Sequence, residues 1–582
     1  MENCNKHFKK TKMKKIVLSA GLFVAAAFFA GAQDTYDAIL FSQNHYYGTA
    51  RSMALGNAMT ALGGDLGSIG INPAGSAVAP YGQFVITPGL TVSSVSSAFS
   101  PEGEDAYGLS TRLTNGRMNL PNIGVTFNIE TGNRYGLKGV TFGFLSNQTD
   151  NYNFDAEGFG TNSRSSRFGE MAWSAYGLEP DVLNDGRSFD NSGVSWDLLT
   201  AYQSGLLGEF AYDDGKPVYA GITETIAPDL AYTYVPGALA QTSYRTKTGS
   251  KNDLILNVGF NFSDQLYFGF NLGLPTGRYR YSESYYEAAA DPAQFPIDYE
   301  NGTRAYFKRA SFNNQYTADV NGIYAKVGVI ARPIKGLRLG ASFQTPTAYT
   351  ISETWQYSGR LALVDDAGKS ANSPVGEYSY SLRSPYIASF GAAFTFGKSG
   401  FISADYEIAD YSVMRFRDAN ERWMSDNRFQ AQNQANRYFA GVSRAFRLGA
   451  EMRLSSEWSV RAGYSVSTSP ERYWIDANGK EVTADSFLRD YEDFAGHKNS
   501  LVSAHYYGDK TRAWSCGIGY SSPGSFFMDA SLRKIRYVDA TFSPYYDYAG
   551  SDKYGNEQYF TSPKILNHYD LWNVALTLGW RF

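Results

Sequence analysis

The sequence predicts an all-β fold, a transmembrane antiparallel β-barrel of about 14 strands. Three observations carry that prediction. The chain opens with a secretory leader. Its strands alternate apolar and polar residues with a period of two. Its composition is rich in aromatics and glycine yet polar on average.

The leader comes first. Lys6, Lys9, Lys10, Lys12, Lys14 and Lys15 make a basic stretch, Ile16 to Phe29 is apolar, and Ala30-Gly31-Ala32 is a small-residue cleavage site. That order is a signal peptide over residues 1–32, with cleavage expected before Gln33. Met1 and Met13 are both acceptable starts, because Met13-Lys14-Lys15 opens the same leader. A membrane anchor is the weaker reading, since the run is short and ends in a cleavage site. No later stretch reaches the roughly 18 apolar residues that a membrane helix requires.

Composition points the same way. The chain holds 44 Tyr, 38 Phe and 58 Gly, with a mean hydropathy of -0.34. Aromatics favour strands, and glycine favours turns and crowded inward positions. The net charge is -4. The leader carries six Lys and one Glu, so the chain after it is near -9, with no basic stripe for nucleic acid. The two cysteines, Cys4 and Cys516, leave one thiol after cleavage and therefore no internal disulfide. Cys516 is expected to be a small packing residue.

The last strand is the clearest. Trp572, Val574, Leu576, Leu578, Trp580 and Phe582 fall on one face, and Asn573, Ala575, Thr577, Gly579 and Arg581 on the other. One face suits lipid and the other a polar lumen. The same alternation marks 125–129, 266–274, 337–344, 390–397 and 458–466. Arg338, Arg461 and Arg581 take the polar face each time. An Arg facing lipid at mid-membrane would cost about 2–4 kcal/mol, so these three are expected to point inward.

Short polar turns join strands around Ser263-Asp264, Pro333 to Gly336, and Gly397 to Gly400, as hairpins require. They are expected at the periplasmic end. The Tyr-, Asp- and Asn-rich segments 150–195, 279–316, 411–436, 470–509 and 537–569 are expected as extracellular loops that include some outer strand ends.

Residues 51–77 break the pattern. Met53, Ala54, Ala58, Ala61 and Leu62 fall near helical spacing, which predicts a short helix from about Ser52 to Leu62, ended by Gly63-Gly64. Pro73 fixes its own φ and biases Asn72 away from helix, so Asn72-Pro73-Ala74 should turn.

Gly56-Asn57-Ala58, then Asp65, then Asn72-Pro73-Ala74-Gly75, shortly after a signal peptide, resembles the FadL/TodX family of outer-membrane transporters. The terminal Phe582, with Trp580, resembles the signal read by the barrel-assembly machinery. The resemblance implies a monomeric barrel of the bacterial outer membrane, set among lipid and lipopolysaccharide. It implies that 33–80 folds inside the lumen as a hatch and that 81–582 forms the barrel. It further implies passive uptake of hydrophobic small molecules, long-chain fatty acids or aromatic compounds, with ligands leaving through a gap in the wall. Within it, Gly56, Asn57, Asp65, Asn72, Pro73, Ala74 and Gly75 belong to the hatch and are not ligand contacts. No motif supplies ligand-binding residues. The chain is longer than the better-known fatty-acid transporters and its outer loops are more aromatic, so the substrate stays open.

Enzyme signatures are missing: there is no nucleophile elbow, H-E-x-x-H, Walker loop or paired Cys motif. No cofactor and no metal site is expected. After the leader the histidines are His45, His497, His505 and His568. His45 near the hatch leaves a haem-receptor reading open, although a lone His among tyrosines is more often polar surface. Asp476-Ala477-Asn478-Gly479 lacks the full calcium-loop pattern and is expected as a turn. The alternative to a transporter is a docking barrel for secreted proteins, with the aromatic loops as its surface.

Overall fold

The computed structural model describes residues 34–582 except 102–106, 214, 228–232, 300–301, 367, 420–427, 476–480, 485–486, 488–502, 507–509, 552–553 and 555. The leader, the Asp476–Gly479 turn and His497 lie outside the described residues.

The barrel has 14 strands. They are β1 Gln83–Ser100, β2 Ser110–Glu130, β3 Leu137–Asn151, β4 Leu239–Phe262, β5 Leu266–Ala289 and β6 Arg304–Ile334. β7 runs Leu337–Gln344 and resumes as Ala348–Leu363; β8 runs Gly376–Arg383 and resumes as Ile387–Thr395. β9 Gly400–Asp410, β10 Val442–Arg453, β11 Trp458–Thr468, β12 Lys510–Ser521, β13 Phe526–Arg536 and β14 Lys564–Arg581 complete it. Each pairs antiparallel with its sequence neighbours. The sheet closes where β1 meets β14, with Gln83 opposite Arg581 and Ser100 opposite Lys564. At the seam Gly82 and Phe582 exchange both backbone hydrogen bonds, at 3.0 and 2.9 Å. Closure leaves no unpaired edge, the condition for strands to sit in lipid.

Alternation sets the two faces. Trp572, Val574, Leu576, Trp580 and Phe582 are exposed outward, as are Phe268, Phe270, Phe390 and Phe394. Between them Asn573, Ala575 and Thr577 are buried inward. Arg338, Arg461 and Arg581 all point inward, as the desolvation argument requires. Cys516 departs from expectation. It is exposed on the outer face between Trp514 and Ile518, because its parity on β12 puts it outward.

All the tight turns lie at one end. Ser263, Asp264 and Gln265 link β4 to β5, and Ser263 and Asp264 take left-handed φ of 57° and 58°, which lets the chain reverse this tightly. At the other end the connections are long. β5 and β6 hold 24 and 31 residues, against about 9–11 needed to cross a membrane. Much of the expected loop 279–316 is therefore strand. It forms a tall wall above the membrane, and its inner side bears a cap.

The cap is built from the described residues of 163–238. Three helices, α1 Thr35–Ser42, α2 Ala50–Ala54 and α3 Leu66–Ile69, precede the barrel, and the cap contains α4 Arg167–Ser174, α5 Pro180–Asn184, α6 Ser188–Asn191 and α7 Trp196–Gln203, with a hairpin of Leu207–Asp213 and Lys216–Gly221. Phe168, Leu183, Leu199 and Leu206 pack with Phe307, Phe312, Leu361 and Leu363 of the wall. Glu287 of β5 latches the cap down. It accepts from the Ser166 hydroxyl (2.6 Å), the Arg167 amide (2.9 Å) and the Tyr285 hydroxyl (3.0 Å).

Candidate functional site: a plugged lumen

The segment 34–80 lies inside the barrel and is almost wholly buried. Asp34 caps helix Thr35–Ser42 through the Asp37 amide (2.8 Å). An extended stretch follows. Thr49 caps a short helix, Ala50–Ala54. The predicted helix over 52–62 ends early because Gly56 and Asn57 both take left-handed φ, 63° and 60°. Asp65 caps Leu66–Ile69, and Asn72 caps the 3-10 turn Pro73–Val78, with Pro73 at its first position.

Each expected hatch residue has a definite place. Asn72 donates to Thr60 O at 2.7 Å and to Val329 O of β6 at 3.1 Å, while its own oxygen receives the Ala74 amide at 3.1 Å. Pro73 O accepts from Asn257 of β4 (3.1 Å), and Ala74 packs on Tyr267 and Ile330. Gly75 N donates to Asn72 O (2.9 Å), and Gly75 O accepts the Gly64 amide (2.8 Å). Gly56 presses so close to β10 and β11 that a Cβ would lie 3.0 Å from Leu448 O and from Tyr464 N. Asn57 donates to Tyr46 O at 2.6 Å. Asp65 accepts from the Thr49 hydroxyl (2.7 Å) and the Gly67 amide (2.9 Å). Burial raises the Asp65 carboxyl above its ordinary range, while nearby Arg51 and the Thr49 hydroxyl pull it back. Asn72, Pro73 and Ala74 fasten the plug to β4–β7, Gly56 presses it against β10–β11, and Asn57 and Gly75 bond within the plug. They meet at no common pocket.

Charged wall residues hold the plug by its backbone. Lys326 donates to Gly70 O (2.7 Å), Arg338 to Leu62 O (2.5 Å) and Arg533 to Tyr46 O (3.0 Å), while Asp405 accepts the Thr60 amide (2.7 Å). Arg51 of the plug joins a buried chain: Arg51 to Glu451 at 3.0 Å, Glu451 to Arg461 at 2.7 Å, and Arg461 to Asp529 at 2.5 Å. Sequence reasoning placed Arg461 inward but missed its partners. Charge at inward positions of the alternation was the available signal. A bulge in β3 leaves Thr149 out of the ladder. The plug fills that gap: His45 N donates to Thr149 O (2.7 Å) and Tyr47 N to Gln148 O (3.2 Å).

Above this lies a tyrosine-rich chamber. Ala38, Ile39 and Phe41 of the first helix pack against Tyr152, Tyr279, Tyr316, Tyr349, Tyr380 and Phe416. Tyr316 and Tyr380 both donate to the buried Glu353, at 2.5 and 2.6 Å. Inward positions of β4 carry Arg245, Lys247 and Lys251. Lys247 donates to the Tyr36 hydroxyl (2.6 Å), and Lys251 to Phe41 O (2.9 Å) and Gln43 O (2.6 Å), closing the end of the helix. Arg245 lies 3.5 Å from the Phe542 ring centre, with Nη2 buried and unbonded.

His45 faces Asp150 at 3.4 Å and the Tyr537 ring at 6.1 Å. Among the described residues no group of three His, Cys, Asp or Glu could hold a metal, and no helix is long and apolar enough to cross a membrane.

A closed 14-stranded barrel with an apolar outer belt and a packed polar interior defines the class: an outer-membrane β-barrel protein with a lumenal plug. No family model matches the chain, and no curated protein matches it. Solved structures similar to it include a FadL homologue of Pseudomonas aeruginosa, at 10% identity and TM-score 0.43, covering 92% of this chain and 98% of that one. The toluene transporter TodX of P. putida aligns at 10% identity and TM-score 0.43, over 93% and 99% of the two chains. The toluene transporter TbuX of Ralstonia pickettii aligns at 12% identity and TM-score 0.41, over 94% and 100%.

Proposed function

We propose that this barrel takes up hydrophobic small molecules across the outer membrane, passively, by way of the chamber that helix Thr35–Ser42 now fills. The observation that carries this is the packing of that helix. It is eight residues long, held at its end by Lys251, and surrounded by aromatic side chains that an apolar ligand could contact in its place. A water-filled pore would give such a solute no shelter, whereas an aromatic chamber above a sealed plug does.

The inward row of Arg245, Lys247 and Lys251 favours ligands that carry one carboxylate on an apolar body. Arg245 offers an unbonded Nη2, and Lys247 and Lys251 would be freed when the helix withdraws. The exit that the wall offers most readily is between β7 and β8. Pro346 and Pro385 supply no amide there, and the Ser384 hydroxyl accepts the Thr347 amide (2.8 Å) in place of a ladder carbonyl.

The test is to purify the barrel in mild detergent and identify co-extracted molecules by mass spectrometry, beside a variant lacking residues 34–77. Fatty or aromatic acids retained by the intact barrel and lost by the variant support the reading. Neutral hydrocarbons alone would remove the carboxylate preference. An empty barrel that brings down a secreted protein would replace uptake with docking.

A further inference from the structure

Below the chamber, where Tyr46 and Tyr47 of the plug meet β13 and β14, four buried polar groups point to an occupant. Arg533 stands directly opposite Asn573 in the β13–β14 register, and Ser531 is the next inward residue on β13. Tyr47 packs on Ala575, the residue opposite Ser531. All four are at least nine-tenths buried: Arg533 is 8% exposed, Asn573 3%, Ser531 5% and Tyr47 1%. Arg533 Nε, Asn573 Nδ2, Ser531 Oγ and Tyr47 OH are each buried without a hydrogen-bond partner.

The donor count decides what fits. Arg533 uses Nη1 on Tyr46 O, and that carbonyl also takes Asn57. The Asn573 oxygen already accepts the Thr91 hydroxyl (2.9 Å). Nε and Nδ2 can only donate, and the two hydroxyls are able to. A water molecule would meet some of these donors, and the two hydroxyls would accept its hydrogens in turn, but it would bring no charge to Arg533. An anion offers acceptors to donors of this kind and a counter-charge to Arg533 as well. No carboxylate pairs with Arg533 among the described residues, so its buried positive charge lacks the counter-ion that burial ordinarily demands.

We propose that Arg533, Asn573, Ser531 and Tyr47 form a seat for one negative charge, and that filling it holds the plug segment Gln43–Gly48 against the wall. The shared chemistry is a small acceptor anion. It comes either from a free halide or from the carboxylate of a ligand descending from the chamber; only the second source rests on the uptake proposed above.

The experiment uses the whole barrel. Crystals grown in bromide are measured for anomalous scattering, and amide exchange of residues 43–48 is followed in bromide and in gluconate. We expect a bromide peak within hydrogen-bonding reach of Arg533, and exchange at least tenfold slower in bromide. Asn573→Leu with Ser531→Ala keeps Arg533 and its bond to Tyr46, and should weaken both signals at least fivefold. Heat-modifiable gel mobility checks that this variant has folded. Displacement of bromide by decanoate would support the seat and assign it to a ligand carboxylate; persistence of bromide would support it as a halide seat. A peak with no anion dependence of exchange means an adventitious ion only and overturns the proposal. So does a site that holds water in saturating bromide, or an anion effect that the double variant leaves intact.

Discussion

At the scale of single residues, the plug is held by close backbone approach as much as by side chains. Gly269 of β5 shows this. A Cβ there would lie 2.2 Å from the Pro73 carbonyl carbon and 2.3 Å from Ala74 N, and neither backbone atom can step aside. Gly269→Ala should leave the barrel formed and lift the Asn72–Val78 turn off the wall. Amide exchange at 74–78 should then rise at least tenfold with heat-modifiable mobility unchanged. Exchange rates like those of the parent would show that the turn is not seated by this contact. Asn72 is the complementary case, since its amide serves Thr60 O and Val329 O together. Asn72→Ala leaves the buried Thr60 carbonyl unsatisfied, costing about 1–3 kcal/mol, and removes the plug's bond to Val329 O. Limited proteolysis within 51–77 should accelerate accordingly, and an unchanged cleavage rate would refute the assignment. What was legible here followed from parity. Arg338, Arg461 and Arg581 could be placed because a strand offers only two faces. Their partners could not, because Glu451 reaches Arg461 from the adjacent β10 and Asp529 from β13, two strands away, and the sequence does not state the register of either.

At the scale of elements, the β-structure was readable wherever one face meets lipid, and the plug and cap were not. Phe268 and Phe270 announce β5 near the membrane, yet its outer half, from Tyr279 to Ala289, looks like a polar loop, because neither face there touches lipid. The Ser52–Leu62 helix failed for a different reason. Spacing counted apolar residues correctly, but every side of a buried plug is covered, so periodicity does not distinguish a helix from a compact coil. The cap likewise hides a testable charge. Glu224 accepts the Gly221 amide at 2.7 Å, and a Cβ on Gly169 of α4 would lie 2.8 Å from its carboxylate. Burial raises its carboxyl from an ordinary 4.5 to about 7. The folded cap therefore keeps a proton that the unfolded cap releases at lower pH. Its contribution is complete below the unfolded value, declines as pH rises between the two, and is gone above the folded one. The span corresponds to roughly 3 kcal/mol of local stability. Exchange within α4, corrected for intrinsic pH effects, should slow as pH falls from neutral toward 5 in the parent, and Glu224→Gln should flatten that dependence. An equally steep profile in the variant would assign the effect to another group.

At the scale of the whole molecule, closure makes the lumen a single compartment whose contents decide what passes. A barrel of this strand number encloses more space than its own inward side chains fill, so an unplugged version should conduct ions. The plug has two parts with different attachments. Residues 49–80 are bound all round the wall, through Asn72, Gly56, Arg51 and the Lys326 bond to Gly70. Residues 34–43 form one helix held chiefly by aromatic packing and by Lys247 and Lys251. Removing the two parts separately should separate two functions. Deleting 34–43 empties the chamber and leaves the seal, so planar-bilayer conductance should stay near that of the parent while uptake of an apolar acid into vesicles rises several-fold. Deleting 34–77 should remove the seal as well and raise conductance by an order of magnitude or more. If the larger deletion conducts no better than the parent, the barrier to ions is the cap packed on Phe307 and Leu361, and the plug serves only to shape the chamber. If the smaller deletion already conducts, the seal resides in the helix, and the contacts of Asn72 and Gly56 with the wall anchor the segment without closing the pore.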